Sequence, residues 1–226
     1  AEQGAKVVIS SRNQDACDEV AEEILAAGGV AIAVACNINY PEQLENLVAK
    51  TREHLGPIDV LVCNAALNPY YGPIQDIPDA AFDKVMNANI GSVHRLCQLV
   101  IPEMAERGGG AVIIVSSIGG LKGTDKLGAY AISKAADMQI ARNLAVEWGP
   151  DNVRVNCIAP GLVRTDFARA LWENPDTYAA TVKHYPLRRI GEPDEIAGAA
   201  IYLASDAGSF TTGQTIVIDG GGTIAS

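Results

Sequence analysis

Six short, mostly apolar runs recur along this chain of 226 residues, and stretches of helical period separate them. The runs are residues 6–10, 31–36, 58–63, 111–115, 154–159 and 215–218. Apolar runs of this length, without strict polar alternation, read as strands covered on both faces. Residues 13–27, 41–54, 79–107, 128–148 and 193–203 read as helices. Strand and helix in turn predict a parallel sheet with helices on both sides. Right-handed crossovers then leave a doubly wound, Rossmann-like α/β fold as the expected topology.

Composition narrows the class. Hydrophobic residues make up 48%, aromatics only 5%, and there are 22 glycines, which suits an α/β protein with tight turns. The length allows one large domain, so residues 1–226 are expected to form a single unit. A net charge of −10 argues against a nucleic-acid partner. No apolar run reaches the length of a membrane span and no signal peptide is visible, so no membrane partner and a cytoplasmic location are expected. Cys17, Cys36, Cys63, Cys97 and Cys157 show no paired spacing and read as buried thiols in a reducing compartment. With three histidines and no Cys/His cluster, no metal site is expected.

The stretch that carries chemistry begins where the run 111–115 ends, at Ser116-Ser117. A loop rich in Gly and Lys leads into a helix with Tyr130 and Lys134 one turn apart on the same face. An ammonium beside a phenol favours the phenolate. A tyrosine so placed can exchange a proton with a substrate oxygen, and a hydroxyl from Ser117 could hold that oxygen. Taken alone, the Tyr–Lys pair equally describes a helix tyrosine with a snorkelling lysine. Its context decides: a serine at a strand end 13 positions before the tyrosine, and further motifs along the chain.

After the run 6–10 comes Ser11-Arg12-Asn13, where a dinucleotide fold reads the adenosine ribose. No carboxylate stands there, and an arginine accommodates a 2′-phosphate, which favours NADP(H) and leaves NAD(H) possible. In the segment 79–107, Asn87 and Asn89 lie inside a helical pattern, where asparagine is unfavourable. Pro160-Gly161 forces a change of direction with a positive φ open to the glycine. Segment 166–192 contains Phe167, Leu171, Trp172, Tyr178 and Tyr185, too apolar for a free loop and too polar for core.

Ser117, Tyr130 and Lys134 resemble the catalytic set of the short-chain dehydrogenase/reductase family. The resemblance covers essentially the whole chain. It includes Cys63-Asn64-Ala65-Ala66 for the family's Asn-Asn-Ala-Gly, Asn89 in its helix, Val153-Arg154-Val155-Asn156, Pro160 to Thr165, and Asp219-Gly220-Gly221. It implies that Asn89 exposes a main-chain carbonyl to a relay water, and that Asn64 bridges backbone groups between strands. Asn37 and Ile38 would meet the adenine, and Asn64, Ala65 and Ala66 the flat body of the cofactor. Pro160, Gly161, Val163 and Thr165 would hold the nicotinamide, and Tyr130 and Lys134 would reach it as well. Segment 166–192 resembles the family's mobile lid. With Leu67, the side chains Phe167, Leu171 and Trp172 suggest a pocket for an apolar or aromatic compound.

The activity implied is reduction of a small ketone or aldehyde by NADPH, reversible with the alcohol, and nearest to the carbonyl and retinal reductases of the family. Alternatives are an NAD(P)-dependent alcohol or sugar-acid dehydrogenase, and a catalytically silent relative without cofactor. A homotetramer is expected by the same resemblance. The chain ends Thr223-Ile224-Ala225-Ser226, which is no peroxisomal tripeptide. The family's first strand and its Gly-rich turn have no counterpart here. The expected sheet therefore lacks the first βα unit, with a slot between strands 6–10 and 58–63.

Overall fold

The structure, a computed structural model, describes residues 1–225. A four-stranded sheet runs in the order β3 (Val60–Cys63), β4 (Gly110–Val115), β5 (Val153–Pro160), β6 (Thr215–Ile218). A separate two-stranded ladder joins β1 (Lys6–Ile9) to β2 (Val30–Ala33). Each of these pairings is parallel, so the Rossmann-like fold class holds. Among the described residues no ladder joins β1 to β3, in keeping with a slot at that place. Val60 and Val62 of β3, the edge strand of this sheet, are 38% and 48% exposed.

The core explains why β4 reads as an unbroken apolar run. Val112 and Ile114 belong to a cluster with Leu44, Val100, Ile101, Met104, Met138 and Ala141. These come from α2 (Pro41–Leu55), α4 (Ser92–Glu106) and α5 (Gly128–Trp148). Ile113 points the other way and packs with Ile158 and Leu203 of α8 (Pro193–Ala204). Successive side chains of a strand face opposite sides. With helices on both sides, every position of β4 from Ala111 to Val115 is apolar.

Several boundaries differ from the sequence reading for local reasons. The first helix, α1 (Gln14–Ala26), starts one residue late because Asn13 is its cap, accepting from the Asp15 and Ala16 amides. Strand β2 ends at Ala33, although the Val34 and Cys36 amides still bond to the Ile9 and Ser11 carbonyls. The segment 79–107 is not one α-helix. It is α3 (Asp79–Val85), a π-helix (Met86–Gly91) and α4. Residues 166–192 contain α6 (Arg169–Trp172) and α7 (Pro175–His184). No described helix is long and apolar enough to cross a membrane. All five cysteines are buried and free.

Ile114 is fully buried at the middle of the packed face. Ile114→Ala should destabilise the protein by about 2–5 kcal/mol, seen as a lower urea midpoint with unchanged slope.

Candidate active site

Parallel register gathers three strand ends at one edge. Cys63 lies beside Ile114, and Val115 beside Ile158. The chain leaving β3, β4 and β5 therefore emerges on the side where open α/β sheets bind ligands.

The loop after β4 is clamped onto α5. Ser116 Oγ, buried, donates to the Lys134 carbonyl at 2.7 Å. Gly120 lies against the same turn: a Cβ there would stand 2.6 Å from Lys134 C and 2.7 Å from Ala135 N. Only a glycine permits this approach. The clamp orients Ser117, whose Oγ accepts from the Gly119 amide at 3.0 Å. A Cβ on Gly119 would meet both Ser117 Oγ (3.4 Å) and Tyr130 Cε1 (3.9 Å). Hydroxyl and phenol ring thus border one small space.

Lys134 is nine-tenths buried or more, with its Nζ 5.6 Å from the centre of the Tyr130 ring. Nζ donates to the Val115 carbonyl (2.9 Å) and to Asp137 Oδ2 (3.0 Å). Asp137 is fully buried, and its Oδ1 has no hydrogen-bond partner. Burial pushes the Asp137 carboxyl up to about 6, against the opposing pull of Lys134. Burial, with the Asp137 charge, pushes the neighbouring Cys157 thiol up to about 12.

Asn89 stands inside the π-helix and is 1% exposed. Its Nδ2 donates to the Leu67 carbonyl and to Ser133 Oγ, both at 3.0 Å, while Oδ1 accepts from the Leu67 amide at 2.9 Å. Ser133 Oγ donates in turn to the Tyr130 carbonyl at 2.7 Å. One side chain thereby ties the loop after β3 to the first turn of α5. The wider turn of a π-helix displaces carbonyls from the ordinary ladder, which agrees with an interior asparagine marking irregular backbone. Asn87 is engaged too: it accepts from Arg95 Nη1 (3.1 Å) and donates to the Asn39 carbonyl (3.4 Å).

The turn after β5 carries Pro160, Gly161, Val163 and Thr165. Gly161 is not among the glycines with positive φ, so the left-handed turn expected there is not made. Space is the constraint instead: a Cβ would stand 2.8 Å from Tyr185 Oη and 2.9 Å from Asp219 Cα. Tyr185 Oη accepts from the Leu162 amide at 2.8 Å. Val163 is buried where Arg164 N and Gly191 N bond across to the Gly191 and Leu162 carbonyls. Thr165 Oγ1 accepts from the Ala168 amide at 3.3 Å, and Trp172 Nε1 donates to the Thr165 carbonyl at 2.8 Å. Phe167, largely exposed, brings its ring to 6.1 Å from that of Tyr130. Leu67 and Leu171 are partly buried nearby in the chain.

The residues expected at the adenosine end are less engaged. Arg12 is exposed and forms no ion pair among the described residues. Ser11 Oγ and Asn13 close a small local turn, with Asn13 N donating to Ser11 Oγ at 3.2 Å. Asn37 Oδ1 accepts from Asn39 N (3.1 Å) and Asn39 Nδ2 (2.9 Å), and Ile38 packs on the core. Asn64, Ala65 and Ala66 line the end of β3, but Asn64 forms no side-chain hydrogen bond among the described residues. The bridge between strands expected of Asn64 is absent because β3 has no paired strand on that side. A cavity of about 450 Å³ lies elsewhere, bordered by β2 and by Gln14, Lys50 and His54. None of the motif residues lines it.

Sequence reasoning gave no individual role to Ser116, Ser133, Asp137 or Tyr185. Asp137 was findable as a carboxylate three residues past Lys134, on the same face of α5. Tyr185 carried no signal beyond lying in an apolar stretch.

A fold that gathers a serine, a tyrosine and a lysine at the carboxyl ends of a parallel sheet defines a class, and the comparisons give the same class. The family described as enoyl-(acyl carrier protein) reductase matches residues 1–223. Dehydrogenase/reductase SDR family member 4 of Bos taurus is 40% identical over 221 residues, covering 98% of this chain and 79% of the relative. The Homo sapiens protein of the same name is 38% identical, covering 98% and 80%. Among solved structures, a 7α-hydroxysteroid dehydrogenase complexed with NADH and 7-oxo glycochenodeoxycholic acid superposes with TM-score 0.93 at 38% identity, covering 97% of this chain and 85% of that one. A gluconate 5-dehydrogenase from Burkholderia cenocepacia with NADP and tartrate gives 0.94 at 30% identity, covering 100% and 88%. The chain belongs to the short-chain dehydrogenase/reductase family. It is an NAD(P)-dependent oxidoreductase.

Gly120→Ala should force the loop bearing Ser117 off α5. We expect destabilisation of about 1–3 kcal/mol together with loss of oxidoreductase activity, measured by urea denaturation and by nicotinamide absorbance.

Proposed function

We propose that the enzyme reduces the carbonyl of a small apolar or aromatic ketone or aldehyde, with NADPH as the preferred donor. The observation that carries this is the single space bordered by Ser117 Oγ and the Tyr130 ring, with Phe167 across from it. When bound, the nicotinamide supplies the hydride to the carbonyl carbon. Ser117 holds the carbonyl oxygen, and Tyr130 gives that oxygen its proton. The Lys134 ammonium favours the phenolate left behind. Two protein acceptors occupy Lys134 Nζ, leaving one of its three N–H groups for the nicotinamide ribose. Asn89 marks the displaced carbonyl that keeps a relay water, through which Lys134 and then Tyr130 regain a proton. The reverse sequence oxidises the alcohol.

The residues present would suit the adenosine and nicotinamide ends of the cofactor. The end of β3 offers small side chains at Ala65 and Ala66, and Ser11, Asn13, Asn37, Ile38 and Asn64 border the path to the adenosine end. The turn of Pro160, Gly161, Val163 and Thr165 is braced from behind by Tyr185. Arg12 is an unpaired exposed cation where a 2′-phosphate would lie. Leu67, Phe167, Leu171 and Trp172 give the substrate space an apolar wall, which suits a hydrocarbon ketone better than a sugar acid. The structural neighbour with a bound 7-oxo bile acid is in line with that preference.

Tyr130→Phe keeps the ring and removes the proton. Nearly all turnover should disappear while the circular dichroism spectrum and urea midpoint stay as in the parent; near-normal reductase activity would sink the assignment. In Arg12→Ala the NADPH-over-NADH ratio of kcat/KM should fall about tenfold to a hundredfold, the size of a charge-assisted contact of roughly 1.5–3 kcal/mol. An unchanged ratio refutes the cofactor preference. We also propose a homotetramer. Ile132 and Val146 on α5 are 46% and 82% exposed, and Phe210 is fully so, apolar positions that a second copy could cover. Light scattering at micromolar concentration should return four copies.

A further inference from the structure

Asp137 has no part in the proposed chemistry, yet its carboxylate is buried in the core. It is fully buried beside Lys134, and one of its carboxylate oxygens has no partner at all. A buried carboxylate left half-satisfied is expensive to keep. The groups facing it from neighbouring elements are all neutral. Cys157 of β5 donates through Sγ to the Asp137 carbonyl at 3.4 Å. Cys63 of β3 lies within range of its charge, beside Cys97 of α4. The Cys97 contact and burial hold the Cys63 thiol up, and burial does the same for Cys157. The single cation at bonding distance is Lys134.

The converse is as informative. Without Asp137, Lys134 would be an ammonium in the core with only the Val115 carbonyl to receive it. Desolvation favours the neutral amine in such a place, and a long flexible side chain can instead swing toward water. Either outcome removes the positive charge from beside the Tyr130 ring.

We infer that Asp137 is a positioning residue: its carboxylate keeps Lys134 cationic inside the core and holds the ammonium beside Tyr130. The inference rests on the roles given to Tyr130 and Lys134 in the proposed function.

Asp137→Asn keeps the shape and removes the charge. In the enzyme assayed with NADPH and a reducible ketone, kcat/KM should fall roughly tenfold or more at pH 8, and the alkaline limb of its pH profile should move away from the parent's. Asp137→Glu should restore the limb toward that of the parent. A limb in Asp137→Asn that superposes on the parent's overturns the inference, even if the rate falls, because a purely structural role lowers rate without moving the limb. The second arm needs no turnover. In urea denaturation, Lys134→Met alone leaves the buried carboxylate without its cation, and adding Asp137→Leu should recover part of the lost stability. If Asp137→Leu does not fold, Asp137→Asn replaces it in the cycle. Losses that simply add overturn the inference. Should the parent reduce no carbonyl compound, the proposed function fails, and the denaturation cycle alone decides the pair.

Discussion

The contact between the loop after β4 and the second turn of α5 sets the geometry of everything around it. Ser116 reaches the Lys134 carbonyl, and Gly120 presses on the peptide between Lys134 and Ala135. A loop and a helix far apart in sequence thereby share one backbone reference point. Ser117 on the loop and Tyr130 on the helix inherit their spacing from it. The strand below is paired on both sides and buried on both faces, so the reference point cannot drift. Sites that need tight spacing are best held by rigid elements in this way.

A second set of ties works from the other end of the site. Asn89 joins the loop after β3 to α5 through Ser133, and Tyr185 joins residues past α7 to the turn after β5. Both are buried side chains bonded to backbone groups that have no ladder partner of their own. A buried amide left open is costly, so these bonds stabilise irregular chain exactly where regular structure stops. Segment 166–192 is therefore anchored at its far end by Tyr185 and Ile190, both nearly inaccessible, while Phe167 at its near end stays exposed.

How much of this could be read from the chain differs by kind of feature. The parallel α/β class was legible because Val112, Ile113 and Ile114 are all apolar in a row, which only a doubly covered strand requires. The line-up of Ser117, Tyr130 and Lys134 was legible because helix spacing and a strand end are both local. The interruption of helix at Asn89 was half legible: the asparagines flagged a disturbance, but the sequence does not say that it takes the form of a π-helix. The local reason for Gly161 was not legible. Glycine after proline signals a left-handed turn, whereas here the missing Cβ makes room for Tyr185, a residue 24 positions on. Space taken by distant residues leaves no mark in local pattern. The same holds for the unmatched oxygen of Asp137, which depends on what the sheet places opposite it.

The burial of all five cysteines has a practical side. Thiolate is the reactive form, and Cys36, Cys63 and Cys157 are all held toward the thiol by their surroundings. The folded protein is consequently shielded from alkylating agents and mild oxidants. Their positions sample α1, the strand ends near the site, α4 and the central sheet. Each thiol is a silent label that becomes reactive only when its own neighbourhood opens. Mass-resolved alkylation would thus read out, residue by residue and without any engineered probe, the order in which this molecule comes apart.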